Sequence, residues 1–147
     1  MLSVTSQYAL RALAQLAKNS DQESMLGKEL ATKADIPPNY LAKILLSLKN
    51  AGMLGTARGS RGGYWLEKDP EQIKLIEIVQ IFDQMQGPQP CILGEKDSCS
   101  CEQPCQAHQR WHEIRTAYMD FLMSTTIADL AAKAATSVTV DLKSQAS

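Results

Sequence analysis

Outside one window of fifteen residues this 147-residue chain contains no cysteine, so disulfides cannot staple it from end to end. Apolar residues make up 44% of it, enough for one domain, or one domain with a helical extension, to build a core. No apolar run approaches the roughly 18 residues that a membrane span needs. Met1 to Asn19 shows an amphipathic pattern with Arg11 inside it, unlike the apolar stretch of a signal peptide. Together these features predict a cytoplasmic protein that does not engage membranes. No internal repeat is found. Nor does the chain carry a nucleotide-phosphate loop or a grouping of acid, base and nucleophile, which argues against an enzyme.

The cysteines that do occur are Cys91, Cys99, Cys101 and Cys105, followed by His108 and His112. In a reducing compartment such crowding points to metal or redox chemistry over structural disulfides. Thiolates are soft, anionic donors, suited to iron–sulfur clusters and to zinc. Cys105 and His108 stand three apart at the start of a predicted helix, so they share a face and can grip one centre. On the residues alone, several readings stay open. Two or three thiols with His108 or His112 suit zinc, Cys99 or Cys101 could attack a neighbour in a thiol–disulfide switch, and the cysteines could hold nothing. By itself His112 reads as a solvated helix residue.

A net charge of −1 hides an asymmetry. Residues 1–65 carry eight Lys/Arg against four Asp/Glu, a balance of +4, whereas residues 66–147 carry seven against twelve, or −5. A basic N-terminal half fits contact with phosphates.

The order of elements sharpens that reading. Thr5 or Ser6 is positioned to cap a first helix with Ala9, Leu10, Leu13, Leu16 and Ala17 at helical spacing. A short second helix is predicted over 27–34. After Asp35-Ile36-Pro37-Pro38, a third is predicted over 38–50, burying Leu41, Ile44, Leu45 and Leu48 and ended by Gly52. Two helices across a short turn form a helix-turn-helix. A hairpin follows, Leu54 to Arg58 and Tyr64 to Leu66 around the tip Gly59-Ser60-Arg61-Gly62-Gly63, which reads as the wing of a winged helix. Asn39, Tyr40, Lys43 and Ser47 are placed to meet the major groove and Arg58 and Arg61 the minor groove. Gly62 allows close backbone approach, and Lys28 and Lys49 are candidate phosphate contacts. Further helices are predicted over 75–85, from about 105 to 123, and over 127–134. The stripe Trp111, Ile114, Tyr118, Phe121 and Leu122 on the long helix reads as a dimer interface, with packing onto its own domain as the rival.

Several of these segments together resemble one family. They are Leu2-Ser3-Val4-Thr5 with Tyr8-Ala9-Leu10-Arg11, the junction Ile36-Pro37 to Tyr40-Leu41, the wing Arg58 to Tyr64, and Cys91, Cys99, Cys105 and His108 with Trp111. The family is that of bacterial winged-helix regulators that includes the iron–sulfur regulator IscR, the nitric-oxide sensor NsrR and the cysteine-metabolism regulator CymR. The likeness spans about residues 1–132. It implies a homodimer on a near-palindromic double-stranded DNA operator, gated in many members by an iron–sulfur cluster. Transferred by position, the IscR-like ligands of a [2Fe–2S] cluster fall on Cys91, Cys99, Cys105 and His108, with Cys101 a possible substitute. The carboxylate that NsrR-like members give a [4Fe–4S] cluster falls on Gln7, a poor anionic ligand. CymR-like members lack the cysteine set.

The expected protein is thus mainly α with a small β-wing, a winged helix-turn-helix domain plus a long dimerisation helix. Residues 1–86 are expected to form the DNA-binding domain, 87–104 the cluster-binding loop, 105–135 the dimerisation helix with a short C-terminal helix, and 136–147 a disordered tail. The expected function is a redox-sensing, cluster-controlled repressor. The alternatives are a zinc or thiol-switch regulator, or a small iron–sulfur electron carrier.

Overall fold

The computed structural model of the protein describes residues 2–19, 24–60, 62–83 and 102–132. Helix α1, Val4–Lys18, is capped by Ser3, whose Oγ accepts the Ser6 N–H at 3.1 Å. The cap thus lies ahead of Thr5 and Ser6, where the sequence placed it. Ser6 is instead fully buried inside the first turn and its hydroxyl is used elsewhere. Helix α2, Gly27–Ala34, and helix α3, Pro38–Asn50, match the expected bounds. Asp35 makes the turn between them in the left-handed region, at φ 53°. Leu13 of α1, Leu30 of α2 and Leu48 of α3 are completely buried, each contributing about 1.5–3 kcal/mol of apolar burial. Gly52, at φ +77°, turns the chain out of α3.

Strands β1, Leu54–Ala57, and β2, Gly63–Leu66, pair antiparallel with Leu54 opposite Leu66 and Ala57 opposite Gly63. Met25 adds a short third rung, its N–H donating to Tyr64 O at 2.9 Å and its carbonyl accepting from Tyr64 N at 2.8 Å. A single 3₁₀ turn, Pro70–Gln72, capped by the Asp69 side chain, follows the wing; the hydrophobic pattern gave no sign of it. Helix α4 is Leu75–Phe82, so it ends three residues before the expected Met85. At Asp83 the backbone is extended, and the side chain is drawn to the start of α1.

Helix α5 covers His108–Ser124 and α6 covers Ile127–Ala131, the latter opened by a reciprocal cap between Thr126 and Asp129. The α6 reading to Ala134 is shortened because Ala132 is already extended. Backbone bonds from Leu75 N to Thr125 O at 3.0 Å and Ile127 N to Ile73 O at 2.9 Å pin the end of α5 to the start of α4. Helix α6 packs on α1 and α4 packs on both α1 and α5. The expected α5 stripe divides. Leu122 is fully buried in the same core as α1–α4, and Tyr118 packs against that core. Ile114 and Phe121 stay exposed at 54% and 50%.

Candidate nucleic-acid interface and metal centre

Helix α3 turns Leu41, Ile44, Leu45 and Leu48 into the core, which leaves its opposite face outward. Asn39, Lys43, Leu46 and Asn50, at spacings of four, three and four, form the outermost row, and all four are exposed. Tyr40 and Ser47 lie on one flank of this row, Ala42 and Lys49 on the other. Tyr40 is exposed, yet its ring meets Tyr8 edge-on with centroids 5.9 Å apart. The Ser47 hydroxyl donates to Lys43 O at 3.2 Å within its own helix. Lys28 is exposed on α2.

Between α3 and the wing runs a cleft of about 720 Å³, whose walls include Ala42, Leu46, Lys49, Ala57 and Arg58. Arg58 is exposed where β1 ends. Gly62 is buried, donating its N–H to Gly59 O at 2.9 Å and accepting the Ser24 hydroxyl at 3.2 Å. Its role in the structure is to shape the wing tip. Arg61 lies outside the described residues.

Arg11 carries more than the sequence suggested. Its guanidinium lies 5.6 Å from the centre of the Tyr8 ring, donates to the carbonyls of Ala34 and Asp35, and stands 3.5 Å from the Asp35 carboxylate. It therefore joins α1 to the turn that aims α3. A charged residue among the apolar positions of α1 was the available signal. Asp83 was missed as well. Its Oδ2 accepts Ser3 N–H at 3.2 Å and the Ser6 hydroxyl at 2.9 Å. Burial pushes the Asp83 pKa up, but the bonds from Ser3 and Ser6 outweigh it and hold the carboxyl below its ordinary value. Tyr118 is shifted upward, by burial first and then by the Asp83 charge.

At the head of α5, Cys105 and His108 share one turn, with His108 N–H donating to Cys105 O at 3.0 Å. Both are half-buried, and His112 follows one turn later, exposed. A thiol and an imidazole presented from one turn are a fitting pair of donors for an iron–sulfur cluster or for zinc. Cys91, Cys99 and Cys101 lie outside the described residues; among the described residues no three Cys, His, Asp or Glu converge. Gln7, where the resemblance to NsrR-like members would place a carboxylate, donates its side-chain amide to Leu2 O at 3.1 Å.

The Rrf2 family profile, described as an iron-dependent transcriptional regulator, matches residues 2–133. An HTH-type transcriptional regulator of Aquifex aeolicus is 36% identical over 131 residues, which is 88% of this chain and 90% of that one. The regulator NsrR of Bacillus licheniformis is 31% identical, over 84% of this chain and 86% of its own. Among solved structures, CymR, the global cysteine regulator of B. subtilis, superposes with a TM-score of 0.71 at 28% identity. That likeness covers 89% of this chain and 95% of that one. None of the described helices is long and apolar enough to cross a membrane.

Proposed function

The chain belongs to the Rrf2 family of transcriptional regulators, and we propose that it is a homodimeric repressor whose affinity for a near-palindromic operator is set by an iron–sulfur cluster, [2Fe–2S] in kind. The proposed ligands are Cys91, Cys99, Cys105 and His108, with Cys101 able to replace one of them. The observation that carries this reading is that Cys105 and His108 share the backbone-bonded turn that leads into α5. When bound, the cluster supplies iron whose charge and occupancy follow redox state and iron supply.

The rest is the work of the chain. Helix α5 begins at the ligand turn and ends with Leu122 in the core that supports α3. A change of position at Cys105 and His108 is thereby delivered through a rigid rod to the domain that reads DNA. In a dimer joined along α5, the same change alters the spacing of two α3 helices against half-sites about 34 Å apart. By linkage, the operator changes the strength of cluster binding by the factor with which the cluster changes operator affinity.

Visible absorption of anaerobically purified protein, with iron and acid-labile sulfide measured on the same sample, tests the cofactor. About two of each per subunit supports the [2Fe–2S] site. Four of each requires another ligand in place of His108. Colourless protein from iron-replete cells, free of both elements, rules the cluster out and leaves zinc and thiol chemistry, which zinc analysis separates.

A further inference from the structure

Among the described residues Leu46 is the most exposed large apolar side chain, at 59%, and it stands in the middle of the outermost row of α3 between Lys43 and Asn50. Isolated apolar side chains on a surface are ordinary. Its surroundings set this one apart. Lys43 precedes it in the row, Lys49 and Arg58 line the same cleft, and Ala42, one turn back, is exposed beside it. Cations on both sides commit the row to an anionic surface, so Leu46 travels with them to whatever they bind.

We propose that Leu46, flanked by Ala42, is a specificity-determining residue that reads the 5-methyl group of a thymine on the wing side of the major groove. The inference rests on the reading of α3 as a DNA-recognition helix. In the major groove the methyl is the one apolar feature that a base edge offers. Asn39 and Lys43 in the same row have hydrogen-bonding heads for the neighbouring edges, and Leu46 has none. The row thus reads one base by shape and apolar contact beside others read by polar groups. Covering a single methyl corresponds to about a fourfold preference for thymine over uracil per half-site, equivalent to about 0.8 kcal/mol for one buried carbon. For two half-sites the preference is about fifteenfold.

The test uses the full-length holoprotein. An operator is selected from random duplex DNA, and each thymine in it is replaced in turn, symmetrically, by deoxyuridine. The expected result is one thymine pair whose replacement weakens wild-type binding about fifteenfold. Leu46→Ala binds the thymine operator about as weakly and is indifferent to uracil there, while Leu46→Met regains the preference. Because Leu46 is outside the core, these variants are expected to fold with unchanged thermal stability, which is measured alongside. Selective, salt-sensitive binding with the same uracil profile in wild type and Leu46→Ala, or with no sensitive thymine, overturns the inference and leaves the DNA-binding reading standing. A protein that selects no sequence overturns both.

Discussion

Asp83 Oδ2 accepts the Ser6 hydroxyl at 2.9 Å across 77 positions of chain, tying the end of α4 to the first turn of α1. The same oxygen takes the Ser3 N–H, so one carboxylate secures the residue that caps α1 and Ser6, the residue whose N–H that cap accepts. Charge-assisted bonds of this kind contribute about 1–3 kcal/mol. Because the folded-state pKa lies below the ordinary 3.8, the stabilisation is fully present above that value. It is lost as the pH falls below it and through the folded-state pKa. Asp83→Asn is expected to lower stability at neutral pH by about 1–2 kcal/mol and to flatten the acid limb below about pH 4. Urea unfolding at stepped pH measures both; an unaltered acid limb would count against the latch.

Asp83 also marks where sequence reading stopped short. The bounds of α2 and α3 were readable because apolar spacing, Pro38 and the turn residues all agree locally. The first cap and the last residue of α4 were misplaced because a tertiary bond decides both, and helical periodicity cannot register a partner 77 residues away. Arg11 was hidden for the same reason, its acceptors lying at Ala34 and Asp35. Leu46 is a different case: a helical wheel places it off the buried stripe, but only the folded arrangement shows that none of the described residues covers it.

Gly63 supplies a test of the wing. At φ +135° a side chain is strained, and a Cβ there would sit 2.5 Å from Met25 O, the atom that Tyr64 N must reach. Gly63→Ala is expected to cost about 2 kcal/mol or more. It should weaken DNA binding by detaching the wing while leaving the visible spectrum unchanged. Thermal melts and gel shifts on one preparation check it.

Not every cation of the basic half is expected to contact DNA. Lys33 pairs with Glu29 at 2.7 Å on the surface of α2, whereas Arg58 is exposed beside the α3 cleft. Arg58→Ala is expected to weaken operator binding and reduce the slope of log affinity against log salt by about two, as the loss of one phosphate contact from each subunit of a dimer requires. Lys33→Ala should change neither. Equal slopes for the two variants would remove the wing from the interface.

Imidazole is a neutral donor where a thiolate is anionic, and its presence raises a cluster's reduction potential. His108→Cys is therefore expected to retain visible charge-transfer bands and to lower the potential, while Cys105→Ser loses most of the bound iron. Anaerobic redox titration followed in the visible range reads the first effect, and metal analysis the second. A potential unmoved in His108→Cys would show that position 108 does not touch the iron.

Two neighbours on α5 separate the proposed subunit interface from the core. Leu122 is completely buried among residues of α1–α4, while Phe121 is 50% exposed beside the equally uncovered Ile114, two turns back on the same side. Leu122→Ala opens a cavity and is expected to cost about 2–5 kcal/mol in unfolding free energy. Phe121 is half exposed and is not among the buried residues of the core, so for Phe121→Glu the folded subunit should largely keep its melting behaviour at high dilution. Placed against its symmetry mate in a dimer joined along α5, however, the carboxylate is buried without a partner, a cost of several kcal/mol. Sedimentation equilibrium is expected to give a dimer for wild type and a monomer for Phe121→Glu and Ile114→Glu. The monomers should bind a single half-site weakly and lose cooperative binding to the full operator. Dimers from both variants would place the subunit contact on another face, and would break the link between the α5 ligand turn and the spacing of the two α3 helices.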